Sequence, residues 1–258
     1  MDLLFVFSFS AAILFLGMHR GHCADIIAGK PSVPHSRPFM AALVRGKHFR
    51  CGGTLIKRNW VLTAAHCKLG KGDKVILGLH SLSERGRGQQ FFHVANAYVH
   101  PKYNKRTLEY DILVLQLNRR ATLNRYVQTI QLPKTYDDLR AGTQCLVTGW
   151  GRTENGGSIS DILREVNVAV VDRRICNDAN HYNYRPFVTM NMVCAGGFGN
   201  QRKDTCKGDS GGPLICGGIQ RGVTSFGKSG KCGDPQFPGV YAHLTKDSIE
   251  WIKKKVFW

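Results

Sequence analysis

Three side chains in three short segments have chemistry that belongs together. His66 stands beside a cysteine, Asp111 opens an apolar run, and Ser210 lies among glycines in residues 208–213. Each has an ordinary explanation when taken alone: a metal ligand or core histidine, a turn residue, and a tight turn that glycines permit. Together, in the chain order histidine, aspartate, serine, they supply the base, the orienting group and the nucleophile that acyl transfer needs.

The roles of the three side chains follow from their ionisation chemistry. A serine hydroxyl is a poor nucleophile at neutral pH, so Ser210 needs a base within hydrogen-bonding reach. His66 is the candidate base, because imidazole titrates close to neutral pH. Asp111, buried against the imidazole, would fix its tautomer and stabilise its charged form. The expected chemistry is therefore acyl transfer through Ser210.

The elements that must position these residues are short apolar runs rich in Val, Ile, Leu and Thr. Clusters of Gly, Pro, Asn and Lys separate them, a spacing that predicts an all-β sandwich or barrel. The runs occupy residues 39–44, 60–65, 74–79, 111–117, 145–149, 166–171, 221–226 and 239–244. Near the end, Ile249, Ile252 and Val256 share one helical face, which predicts a C-terminal helix packed on the body.

The composition bounds the class of protein. With 258 residues, of which 43% are hydrophobic and 21% charged, the chain can bury one large core or two small ones. This excludes coiled-coil, collagen-like and low-complexity chains. The net charge of +18 suits an anionic partner, such as nucleic acid, anionic lipid or sulfated glycan. Nine cysteines are typical of proteins made in the oxidising secretory route.

The amino-terminal segment is predicted to be a signal peptide, residues 1–23. Residues 3–18 form one apolar run, short for a membrane span and typical of a signal sequence. The segment before the run carries no Lys or Arg, and a signal anchor that stays attached is the alternative. Cleavage after Cys23 would leave an even number of cysteines, as a disulfide-bonded secreted protein needs. It would also leave the dipeptide 24–25 in front of Ile26.

From Ile26 onward the chain resembles the chymotrypsin-fold, trypsin-like serine proteases, and among them the granzymes of the A and K type. The matching stretches are residues 26–29, 34–40, 60–67, 149–151, 163–166, 192–196 and 204–213. The resemblance implies an all-β fold of two packed six-stranded antiparallel β-barrels with a C-terminal helix. The implied peptidase domain is 26–258, with barrels at about 26–130 and about 131–244 and the helix at about 245–258.

The resemblance also implies roles around the nucleophile. The backbone amides of Gly208 and Ser210 would form an oxyanion hole, and Ser225 would support the Asp111 carboxylate. In this family the amino group of Ile26, freed by cleavage, pairs with the carboxylate of the residue before the nucleophile, which is Asp209.

The same resemblance implies a pocket for a basic side chain. Asp204 lies where the family places the base of the pocket for the residue before the cut, and its carboxylate would attract Arg or Lys. Gly227 and Gly239 match the pocket walls and leave room for a long side chain. Lys207 is expected at the pocket rim, where it would favour acidic residues after the cut.

Eight cysteines allow many pairings, and their spacing alone does not choose among them. The resemblance implies the pairs Cys51–Cys67, Cys145–Cys216, Cys176–Cys194 and Cys206–Cys232. No zinc site is expected, because no two cysteines have metal-ligand spacing. No calcium site is expected either, since Leu79 and Gln89 stand where calcium-dependent trypsins have glutamates. No cofactor is implied.

The first functional hypothesis is a secreted or granule-stored serine endopeptidase that cuts after Arg or Lys. The alternatives are a secreted tryptase of the mast-cell or digestive kind, and a cationic heparin-binding antimicrobial protein on the same scaffold. The expected partners are protein substrates, a heparin-like proteoglycan, serpin-type inhibitors and a dipeptidyl peptidase that removes residues 24–25. A disulfide-linked dimer is not expected, because Lys102 stands about where granzyme A has an additional cysteine.

Overall fold

The structure is a computed structural model that describes residues 26–197, 199 and 201–256. The expected signal peptide and dipeptide therefore lie outside the described residues. Across the ranges that are described, no helix is long and apolar enough to cross a membrane.

Strands dominate the described part of the chain. In chain order they are β1 Lys30–Pro31, β2 Met40–Arg45, β3 His48–Lys57, β4 Trp60–Thr63, β5 Lys74–Leu77, β6 Gln90–Val99, β7 Leu113–Leu117, β8 Gln144–Gly149, β9 Arg164–Val171, β10 Met192–Gly196, β11 Pro213–Cys216, β12 Ile219–Phe226 and β13 Gly239–His243. The helices are α1 Arg173–Asn177 and α2 Lys246–Val256, with a 3-10 turn at Ala65–Cys67.

Strands β2 to β7 close into a six-stranded antiparallel barrel in the order β2-β3-β4-β7-β6-β5. Its core contains fully buried Val75, Leu77 and Leu115, because alternate residues of a strand face the same side. In the β4–β7 pair, Thr63 lies opposite Leu113. The chain just after β4 and the chain just before β7 therefore meet at one end of the barrel.

Strands β8 to β13 form a second closed barrel, since the sheet β9-β10-β13-β12-β11-β8 is completed by a β8–β9 pairing. This confirms the predicted fold of two six-stranded antiparallel barrels. The short strand β1 pairs with β9, so it joins the second barrel although the sequence placed it with the first. Ile26 explains this position, because its side chain is fully buried in the core of the second barrel beside Tyr241.

Helix α2 packs where the two barrels meet. Ile249, Ile252 and Val256 belong to one buried cluster with Ile112 of the first barrel and Val223 of the second. The predicted apolar face is therefore the face that the helix buries. By covering residues from both barrels, the helix helps to fix the position of one relative to the other.

Candidate active site

His66 and Asp111 come together at the end of the first barrel that the β4–β7 register defines. The His66 ring Nδ1 lies 2.6 Å from Oδ2 of Asp111, and the His66 backbone amide donates to Oδ1 at 2.8 Å. Ser225, from β12 in the second barrel, donates its hydroxyl to Oδ2 at 2.5 Å. Asp111 is fully buried, so three hydrogen bonds hold its carboxylate and leave Nε2 of His66 for other chemistry.

Ser210 belongs to the second barrel but is fastened to the first. Its carbonyl accepts a hydrogen bond of 2.9 Å from the amide of Gly52 in β3, and the following Gly211 amide donates to Thr224 at 2.8 Å. Gly52 lies beside Cys51, whose disulfide to Cys67 borders His66. The segment that carries the serine is thus held against both barrels next to the histidine.

The hydroxyl of Ser210 is not hydrogen-bonded to His66 within the described residues. Catalytic hydrogen bonds are often long in proteins without substrate and tighten when substrate binds. The relevant geometry is therefore the placement of both residues against β3, Ser210 through the amide of Gly52 and His66 through the disulfide of the adjacent Cys67.

Two glycines around the serine are required by the backbone. Gly208 has φ +107° and Gly211 has φ +80°, conformations that side chains disfavour. A Cβ on Gly211 would also stand 2.1 Å from the Thr63 hydroxyl. Within the described residues, the amides of Gly208 and Ser210 donate no hydrogen bond, so both are free to bind an oxygen that carries negative charge.

A cleft of about 560 Å³ opens beside Ser210, and Asp204 lies at its base. Asp204 is 2% exposed, and burial raises the pKa of its carboxyl to about 7. The amides of Thr205 and Gly233 donate to this carboxylate at 2.7 and 3.1 Å. Amides do not neutralise a buried charge, so a cationic ligand would gain from reaching it.

Three other residues, Gly227, Gly239 and Lys207, were expected around the pocket. Gly227 lines the cleft, and so does Lys207, which is exposed at its mouth. Gly239 does not line it but lies directly beneath, since a Cβ there would stand 2.7 Å from Oδ1 of Asp204. Gly239 thus keeps volume free around the carboxylate, whereas a Cβ on Gly227 would meet no atom within 4 Å.

Asp209, which precedes the serine, is 1% exposed. Its carboxylate accepts hydrogen bonds from the amides of Gly151 and Cys206 at 2.8 and 2.9 Å. Burial raises its pKa to about 6, and none of its hydrogen-bond partners among the described residues is a cation. The amino-terminal segment lies nearby, because the carbonyl of Ile27 accepts from the amide of Asp204 at 3.4 Å.

The structure contains all four disulfides that the resemblance implies: Cys51–Cys67, Cys145–Cys216, Cys176–Cys194 and Cys206–Cys232. The Cys206–Cys232 bond links two of the chain segments that line the cleft. Ligand atoms of Cys51, His66 and Cys67 lie within 4.8 Å of one another. Their two sulfurs are bonded to each other, so they are not thiolate ligands for a metal ion.

Several residues around the site were not found from the sequence. Gly52 and Thr63 hold the serine segment, and Arg152 and Lys228 line the cleft. Glu109, two residues before Asp111, accepts hydrogen bonds from Thr189 at 3.1 Å and Asn191 at 2.8 Å. This contact joins the first barrel to the second. Among the residues of this paragraph, the glycines in β3 and Thr63, which lies in the matching stretch 60–67, gave a signal in the sequence.

Comparison with known proteins agrees with this geometry. The trypsin family matches residues 26–252. Granzyme A of Bos taurus is 47% identical over 99% of this chain and 98% of its own, and kallikrein-4 of Homo sapiens is 40% identical over 92% and 89%. The solved structure of neuropsin, a serine protease of mouse brain, superposes with a TM-score of 0.79 at 38% identity, covering 88% of this chain and 98% of that one. The chain belongs to the trypsin family and is a serine protease.

Proposed function

We propose that this protease is an endopeptidase that cuts after arginine or lysine. The observation that carries the proposal is the buried Asp204 carboxylate at the base of the cleft that also holds Ser210. A guanidinium or ammonium group that enters the cleft supplies the missing counter-charge and exchanges its own hydration for a charge-assisted hydrogen bond. The bond after that residue then lies over the serine.

The proposed reaction has two steps with a covalent intermediate on Ser210. Oγ attacks the carbonyl carbon as Nε2 of His66 takes its proton, and the amides of Gly208 and Ser210 stabilise the oxyanion. His66 then protonates the leaving amine as the peptide bond breaks. Water, deprotonated by the same ring, cleaves the acyl-enzyme and restores the serine. Asp111 orients the ring and stabilises its protonated form throughout.

Paired peptide substrates that differ only in Arg or Leu before the cut test this function. The native protein is expected to cut the Arg peptide, and Ser210→Ala to cut neither. Asp204→Ser should lose the preference for Arg while acylation by a small ester persists, and Glu250→Gln on α2 is the matched carboxylate control. Equal cleavage of the Arg peptide by the Asp204→Ser variant would contradict the pocket assignment.

We further propose that the protease is made as an inactive precursor. Residues 1–23 would be removed as a signal peptide, and a dipeptidyl peptidase would remove residues 24–25. The freed amino group of Ile26 would pair with Asp209 and order the oxyanion loop. The burial of Ile26 and the absence of a cationic hydrogen-bond partner for Asp209 among the described residues support this. Peptidase activity in protein that begins at Ala24 would contradict it.

Storage in a secretory granule, with a heparin-like proteoglycan as partner, fits the charge of this chain. The net charge is +18, and many of the cations on loops are exposed, including Lys102, Lys105, Arg106, Arg85, Arg87, Arg119 and Arg120. Because positive charge attracts the protein to heparin, its elution from immobilised heparin should need more salt than the elution of a neutral protease of equal size. Salt weakens this attraction because it screens charges over about 8 Å. Arg119→Ser with Arg120→Ser should lower the salt that elutes the protein. We also propose serpin-type inhibitors as partners of this protease.

A further inference from the structure

The mouth of the cleft carries three cations that have no acidic partner. Arg152, Lys207 and Lys228 all line the cleft, and none of them forms an ion pair with any described residue. Some cations elsewhere are paired, as Arg45 is with Asp73 at 2.9 Å. The cleft therefore presents unpaired positive charge where a substrate backbone must lie.

These cations stand on both walls of the cleft. Arg152 and Lys207 belong to one wall, where the amide of Arg152 donates to the carbonyl of Lys207 at 2.9 Å. Lys228 belongs to a separate segment of the lining, residues 224–230, which we take as the other wall. Its ammonium lies 5.3 Å from the centre of the Phe237 ring. Both lysines are exposed, so their ammonium groups are accessible to a substrate that lies in the cleft.

The carboxylate of Asp204 is the one acidic group among the residues that line the cleft, and it is buried at the base. The basic side chain of the substrate would neutralise it. The cations at the mouth then remain. They would attract an acidic side chain of the substrate, and no other carboxylate in the lining would compete with it for them.

We propose that the preferred cleavage site is a basic residue flanked on both sides by acidic residues, read by Lys228 on one wall and by Lys207 with Arg152 on the other. This rests on the proposed cleavage after Arg or Lys. Exposed ion pairs are weak, so each acidic flank is expected to raise kcat/KM about fivefold at low salt. The gain should shrink as salt is added, because these groups are solvated.

Four peptides test the proposal, each with one Arg at the cut and either Asp or its neutral isostere Asn on each side. The native protein should cut the doubly acidic peptide about 25-fold faster than the neutral one, as two independent fivefold gains multiply. Lys228→Gln should remove the gain from one flank, and Lys207→Gln should reduce the gain from the other, where Arg152 remains. Each variant serves as the other's control for the flank it does not face.

Lys231→Gln is the matched charge control. Lys231 is exposed, pairs with Asp234 at 3.4 Å and lies outside the cleft lining, so this variant loses the same charge and should keep both gains. Equal rates on all four peptides, or gains that all variants share, would overturn the proposal. If the neutral Arg peptide is not cut at all, the proposed function fails instead, so the two failures are distinguishable.

Discussion

Cleavage before Ile26 is expected to change how the stability of the fold depends on pH. The buried Asp209 has a pKa of about 6 instead of 3.8, caused mainly by desolvation. A raised carboxyl pKa means that the folded state binds the proton more tightly than the unfolded state. Stability from this group is therefore greatest at acid pH and falls as pH rises from about 4 to above 6. Two pKa units correspond to about 3 kcal/mol of unfolding free energy.

The proposed pairing with the new amino group would cancel this loss. An ammonium beside Asp209 favours its ionised form and so lowers the pKa of the carboxyl. Burial raises the pKa of Asp204 to about 7 as well, but that loss of stability at high pH occurs in both forms. The difference between the forms therefore isolates Asp209.

Urea unfolding measures the difference directly. Protein that begins at Ala24 and protein that begins at Ile26 would both carry Ser210→Ala to prevent self-digestion. Between pH 4 and pH 7.5, the longer form is expected to lose about 3 kcal/mol more stability than the shorter one. Asp209→Asn in both should remove the difference. Equal losses in the two forms that retain Asp209 would refute the pairing of Ile26 with Asp209.

Three further outcomes are expected. Ser225→Ala should lower kcat about tenfold or more with little change in KM, because the buried Asp111 carboxylate, which orients His66, loses a hydrogen bond. An unchanged kcat would contradict the role of Ser225 in holding Asp111. Glu109→Ala should lower the free energy of unfolding in urea by about 1–3 kcal/mol, since both hydrogen-bond partners of Glu109 lie in the other barrel. Glu109→Gln should retain most of the stability. Binding of a small amidine inhibitor should weaken as pH falls below about 7, where Asp204 becomes protonated; calorimetry that finds constant affinity from pH 5 to pH 8 would exclude that ionisation.

The apolar runs predicted eight of the strands, but no run covers β10 or β11, although both are buried along their whole length. All eight apolar runs overlap strands of the structure. Strand β3 was missed because Gly52 and Gly53 interrupt its pattern, although β3 is one of the two longest strands. Those glycines are explained by tertiary contacts, since a Cβ on Gly53 would stand 3.0 Å from the carbonyl of Leu62 in β4. A local pattern does not contain that neighbour.

The predicted site residues were recognisable because short motifs surround them, whereas the residues that hold the motifs in place were not. Gly52 and Ser210 are hydrogen-bonded although far apart in sequence, and the same is true of Ser225 and Asp111. Only the resemblance pointed to Ser225. Nothing in the sequence pointed to Glu109, whose contacts exist only when the barrels are docked.

This division has a physical consequence for the protease. The first barrel supplies His66 and Asp111, while the second supplies Ser210, the free amides of Gly208 and Ser210, and the cleft. Neither barrel holds a complete set, so the free energy of docking is also the free energy that assembles the site. Helix α2, the Gly52–Ser210 bond and the contacts of Glu109 all cross this boundary. Substitutions there should therefore lower activity before they unfold either barrel, because a small displacement between barrels separates base from nucleophile.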